Sequence, residues 1–295
     1  MDTALKLKAD IDNGKIFSKE EIIGQLAQSV LVRELTADFP EKPLTLVWRL
    51  IGISQIPFSH YLEYTQNLIG RVYEKLATPF GFSLSGDEKM FLPCYNAMVV
   101  SALCRLNRAT DPQVKSALEW INKNQPMERG VDVNLPGFRF DRFGGCFGKT
   151  PCYIGLAKSV IALQNHQKHT NDLSYKPKLQ KGTDYMLQHK FFKRLSNDKP
   201  INRHITDLSF PESYHLNMVE LIQFACDAEL LHDSRTKDLI DYLKSKQTTN
   251  GTWKISFRYK AEGYTVFDKG KGTNEWLTYT IKKSLTGNTN FDTHF

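Results

Sequence analysis

Several things are scarce in this chain, and each scarcity excludes something. No apolar run approaches the ~20 residues that a membrane span needs, so no transmembrane segment is expected. Residues 1–12 alternate charged and apolar side chains and lack the core of a secretory signal. There are five cysteines, an odd number at wide spacings. That argues against a disulfide framework and for a reducing, cytoplasmic setting. The formal net charge is +7, but the Lys and Arg residues are scattered and form no basic-aromatic recognition stripe. No nucleic-acid partner is therefore expected. The nucleophile elbow Gly-x-Ser-x-Gly is absent. Strand patterns are also scarce. Only 253–259 and 264–267 alternate, which predicts at most a small β-hairpin near 253–267, turning at Glu262-Gly263.

What is present is helical. The 295 residues, 41% hydrophobic and 24% charged, suffice for one sizeable core. Ser18-Lys19-Glu20-Glu21 is a capping box that predicts a helix to about residue 37, stopped by Phe39-Pro40. A second helix is expected over 44–53. A third carries Thr65, Leu68, Ile69, Val72, Tyr73 and Leu76 on one face. Residues 78–88 read as a loop, and Asp10-Ile11-Asp12-Asn13 as a solvated N-terminal loop.

From residue 89 the chain repeats itself. Pro93-Cys94-Tyr95 opens a helix, and Asp111-Pro112 opens its partner. Pro151-Cys152-Tyr153 opens the next helix, with a partner from Lys176-Pro177. A third copy begins Glu212-Ser213-Tyr214 with a partner from Asp233-Ser234, and a fourth begins Asn274-Glu275-Trp276. Tyr95, Tyr153, Tyr214 and Trp276 share one position, read as the first turn of each inner helix. The expected fold is all-α, built of stacked helical hairpins. It would be either an open solenoid or a closed ring with one helix of each hairpin inside. Residues 89–295 form the repeat region, and residues 1–88 would close or flank it. The connections 127–149, 191–211 and 251–273 would gather at one mouth.

Five segments carry a resemblance: Gly-Gly-Cys-Phe-Gly-Lys-Thr-Pro-Cys (144–152), Leu-Gln-His-Lys-Phe-Phe (187–192), Leu-Ser-Phe-Pro-Glu-Ser-Tyr-His (208–215), residues 233–253, and Lys-Gly-Lys-Gly-Thr-Asn-Glu-Trp (269–276). Together they resemble the repeats of the terpenoid cyclase and protein prenyltransferase α/α-toroid superfamily. They look most like bacterial proteins with prenyltransferase/squalene-oxidase-type repeats. The resemblance spans about two-thirds of the chain and implies an α/α toroid with a central apolar cavity for an isoprenoid or similar ligand. It is much less specific for chemistry.

Two chemistries of that superfamily lack their residues here. Neither the Asp-x-Asp-Asp motif that protonates an alkene nor the Asp-Asp-x-x-Asp motif that holds magnesium occurs. For a third, the resemblance implies zinc. Thr150-Pro151-Cys152 matches the element that carries an Asp and a Cys, with Thr150 in place of the carboxylate, and His215 matches the later histidine. Cys152 and His215 are thus candidate metal ligands, with Cys146 or Asp141 to complete a set. Asp141 and Lys149 are the catalytic candidates. Tyr95, Cys146, Tyr153, Tyr214 and Trp276 are candidates to line a ligand site, and Arg194 to meet an anionic group. Gly144-Gly145-x-x-Gly148-Lys149 has a phosphate-loop flavour without the spacing, and a tight turn is the simpler reading. Two functions stay open: an enzyme acting on an isoprenoid, and a binding or scaffold protein that kept the toroid but lost the acids.

Overall fold

A computed structural model describes residues 1–133, 135, 137–138, 145–269 and 274–287. Among them are twelve α-helices and one two-stranded sheet, an almost wholly helical protein. None of the helices is long and apolar enough to cross a membrane.

The N-terminal unit holds α1 (Thr3–Asp12), α2 (Lys19–Gln28), α3 (Val30–Leu35), α4 (Pro43–Ser54) and α5 (Glu63–Leu76). Helix α1 corrects the expectation of a solvated loop. Asp2 caps it, and Asp12 lies in its last turn. The helix expected from 18 to 37 divides at Ser29, whose hydroxyl accepts from Val32 N at 3.0 Å and donates to Asp2 Oδ1 at 2.6 Å. A serine held from both sides ends α2 and caps α3 at once.

The repeat region follows as α6 (Pro93–Arg105) with α7 (Pro112–Asn124), α8 (Tyr153–Thr170) with α9 (Lys176–Gln188), and α10 (Met218–Asp227) with α11 (Lys237–Ser245). Helix α12 (Glu275–Thr286) comes last. Helices α6 and α8 are buried nearly all round, whereas α7, α9 and α11 are buried on one face. That is the signature of an inner and an outer layer. In the inner layer α4 contacts α6, α6 contacts α8, α8 contacts α10, and α10 contacts α12. The chain's first helix meets its last: Tyr279 Oη donates to Asp12 Oδ2 at 2.6 Å, and Lys283 pairs with the same carboxylate. The Met1 amine lies 3.2 Å from Glu275.

Two further expectations are corrected. Residues 253–267 contain no strand; a turn at 262–263 joins two irregular segments. Side-chain hydrogen bonds hold them in place of a ladder. Ser256 Oγ accepts from Leu208 N at 2.8 Å, and Asn274 Oδ1 accepts from Ile255 N at 3.1 Å. Among the described residues the one sheet pairs β1 (Ala77–Thr78) with β2 (Gly81–Phe82), overlapping the stretch read as a loop. Gly81 has φ +136°, and a Cβ there would strike Asn96 and Ala117, so only glycine fits.

Candidate functional site

The long connections meet where the inner helices begin. Leu208, from the 191–211 connection, is tied to Ser256, and Phe257 lies 4.5 Å from the His204 ring. These connections do not only decorate a mouth. Phe210 and Phe267 are buried; Phe210 stacks on Trp276 and Phe267 meets it edge-on.

An aromatic cluster remains half-exposed at this end. Tyr95, in the first turn of α6, stacks on Tyr214 with centroids 5.8 Å apart. Trp48 of α4 packs edge-on to Tyr95 at 5.9 Å and to Tyr259 at 5.1 Å. His215 contacts Tyr259 at 5.7 Å and stacks on His204 at 4.2 Å. Asp207 Oδ2 lies 2.7 Å from His204 Nδ1, which fixes that ring. Burial pulls the His215 imidazole down, and His204 adds to the effect. The thiols of Cys94, Cys146 and Cys152 come to the same place. Burial pushes the Tyr214 phenol up to about 12, and the three nearby cysteines reinforce the shift.

The four aromatics in shared repeat positions thus part company. Tyr95 and Tyr214 meet at the mouth. Tyr153 turns outward against Tyr185 and His189, and its hydroxyl donates to Phe191 O at 2.6 Å. Trp276 is core. The cause for Tyr214 is local: Asn217, not Glu212, begins α10. Its Oδ1 accepts from Val219 N at 2.8 Å, leaving Tyr214 and His215 in the connection before the helix.

The other candidates are placed as follows. Lys149 is exposed, four residues before α8, and its carbonyl accepts from Gly130 N at 2.8 Å. Arg194 is exposed and donates to Ile201 O at 3.2 Å within its own connection. Asp141 lies outside the described residues. Cys146 and Cys152 are joined by a backbone hydrogen bond of 3.1 Å. Among the described residues no three His, Cys, Asp or Glu side chains are placed to hold one metal ion. His215 stacks on His204.

Beneath the mouth lies a network that the sequence reading missed. Lys158 of α8 is 1% exposed. It pairs with Glu220, lies 3.6 Å from Glu212, and donates to Ser213 O at 2.9 Å. Glu212 also accepts from Arg105 at 2.5 Å and from Gln55 at 3.3 Å. Burial pushes Glu212 up, but the Arg105 and Lys158 charges outweigh it and hold the group at about 2. Burial also raises Glu220, and although Lys158 pulls it back, the Glu212 charge helps keep it near 8. Of the two buried carboxyls, Glu212 is thus the stronger acid and Glu220 the weaker. One signal was available in the sequence. Lys158 stands in an otherwise apolar helix face, as does Glu220, and an isolated charge in a core stripe needs a buried partner.

Compared with known protein families, with characterised proteins and with solved structures, the chain shows no match.

Proposed function

We propose that the hairpins form an α/α toroid of the terpenoid cyclase and prenyltransferase kind. Its mouth would bind an isoprenoid or similarly extended apolar ligand against Tyr95, Tyr214 and Tyr259. The observation that carries this reading is the half-exposed aromatic cluster, assembled from α6, the connection before α10 and the 253–267 segment. Half-buried rings brought together from three separate segments offer a π-rich wall to an apolar chain. The neighbour order of the inner helices and the meeting of α1 with α12 support a closed ring.

The binding reading is favoured over the enzymatic one. The buried carboxylates Glu212 and Glu220 are committed to Lys158, Arg105 and Asn217, beneath the mouth. At the mouth, Asp207 is engaged by His204.

Trp48, wedged against Tyr95 and Tyr259, reports on the cluster. Titrating the full chain with farnesol and with farnesyl diphosphate should change tryptophan fluorescence saturably, and Trp48→Phe should abolish most of the change. Tyr95→Ala and Tyr214→Ala should each weaken binding roughly five- to tenfold, the value of one aromatic contact. Equal affinity for alcohol and diphosphate would assign recognition to the apolar chain alone. No saturable change with either probe, or unaltered affinity in both tyrosine variants, would sink the reading.

A further inference from the structure

Among the cysteines of the chain, one pair is set apart by geometry. Cys152 N donates to Cys146 O at 3.1 Å, which closes residues 146–152 into a turn. With standard bond lengths, that contact holds the two Cα atoms within about 7 Å of each other. Disulfides form across Cα separations of ~4.4–6.8 Å, so the pair lies in or at the edge of the bonding range. Both residues are partly exposed, whereas Cys94, Cys104 and Cys226 are buried. The turn is anchored on two sides. Gly130 N donates to Lys149 O at 2.8 Å, and the Phe147 ring stacks on Trp120 with centroids 6.2 Å apart. Closing a bond across it therefore requires little movement of chain.

We infer that Cys146 and Cys152 form a reversible dithiol–disulfide site, oxidised by a low-molecular-weight disulfide such as oxidised glutathione. The Cys152 thiolate attacks one sulfur of the oxidant, giving a mixed disulfide and releasing one thiolate. The Cys146 thiolate then attacks the Cys152 sulfur, and the second small thiol leaves. The protein thiols lose two electrons and two protons in all, and the oxidant becomes two thiols. Burial and the nearby Cys152 push the Cys146 thiol up to about 12. The inference stands apart from the ligand proposed above, since it concerns the covalent state of the turn and not what the mouth binds.

The sequence supplies a direct test. Lys149 lies between the two cysteines, so trypsin separates residues 143–149 from residues 150–158. The folded full chain is equilibrated in glutathione buffers of graded poise, alkylated, digested without reductant and analysed by mass spectrometry. The expected result is that oxidising buffers replace the two peptides by one cross-linked species, lost on adding dithiothreitol. The cross-link should survive in Cys94→Ser and vanish in Cys146→Ser and Cys152→Ser. Three outcomes overturn the inference: both thiols alkylated throughout, glutathione retained on Cys152 as a stable adduct, or a cross-link to the 90–105 peptide that carries Cys94. Because the wild-type digest alone decides among these, a variant that fails to fold does not blunt the test.

Discussion

Helix α8 has two inner neighbours and is joined to them by different means. Against α6 it packs more extensively than any other pair of helices among the described residues. Gly155 lies at that boundary, where a Cβ would stand 3.9 Å from Pro93 and Gln125, in ordinary contact. Against α10 the direct contact is slight. Ions bridge that boundary, Lys158 with Glu220 in the interior and Lys168 with Asp227 at 2.8 Å near the rim. A groove of about 1000 Å³ runs outside it, bordered by Gln164, Lys168, Leu187, Asp227 and Leu230. One repeat can thus join its neighbours by apolar contact on one side and by buried charge on the other. Apolar contact tolerates a missing partner better than charge does, because an orphaned buried ion carries its full desolvation cost.

The largest effect should come from breaking the ionic boundary. Lys158→Met leaves Glu212 and Glu220 facing each other without their shared cation. It should lower stability by about 3–5 kcal/mol, read from the denaturant midpoint. The companion Lys158→Met/Glu220→Leu should recover much of that loss. A double variant no better than the single one would show that the network does more than join helices. On the apolar boundary, Gly155→Leu should prise α6 from α8 and cost about 1–3 kcal/mol by overpacking.

The next effect is pH-dependent. Glu220 titrates near 8 in the fold against an ordinary value of 4.5, so the fold prefers its protonated form. Its contribution is greatest below pH 4.5 and declines as pH rises toward 8. Glu212 has the opposite sign: held at about 2, it contributes above pH 4.5 and its contribution is lost as pH falls toward 2. Glu220→Gln should therefore flatten the decline between pH 5 and 8 and leave the acid limb in place. An unchanged alkaline slope would remove Glu220 from the account. At the rim, Lys168→Ala should cost under about 1 kcal/mol and less in high salt, since both partners are partly solvated. Smallest of all, Gly155→Ala meets only ordinary contacts and should be neutral or slightly stabilising.

How far the sequence foretold this depended on whether the signal was local. Pro93, Pro112, Lys176-Pro177 and the Ser18 capping box start helices where their side chains predict, because a cap or a first-turn proline acts within four residues. The long-range features were not legible. Ser29 divides a continuous apolar pattern because Asp2, 27 residues away, takes its hydroxyl. The 253–267 pattern alternates as a strand does, yet Ile255 N donates to Asn274 Oδ1 and Ser256 N to Leu208 O, in place of a partner strand. At the site, repeat position predicted four equivalent aromatics, but only two meet. Repeat position fixes where a residue sits along its helix, while the connection before the helix decides which way the chain arrives. Lys158, Glu212 and Glu220 were visible as isolated charges, but their pairing spans 62 residues and no periodicity encodes it.

The clasp between α1 and α12 bears on the order of events in folding. Asp12 and Tyr279 are 267 residues apart, so bringing them together requires closing nearly the whole chain on itself. Each hairpin, by contrast, is a local event with a short loop. Hairpins should therefore assemble first and the clasp last, which makes α1 the first helix to come away when the protein opens. Hydrogen exchange should find the amides of α1 the least protected among the buried helices. When α1 leaves, Tyr279 and Lys283 of α12 give up Asp12 and open to solvent, while the aromatic cluster stays in place.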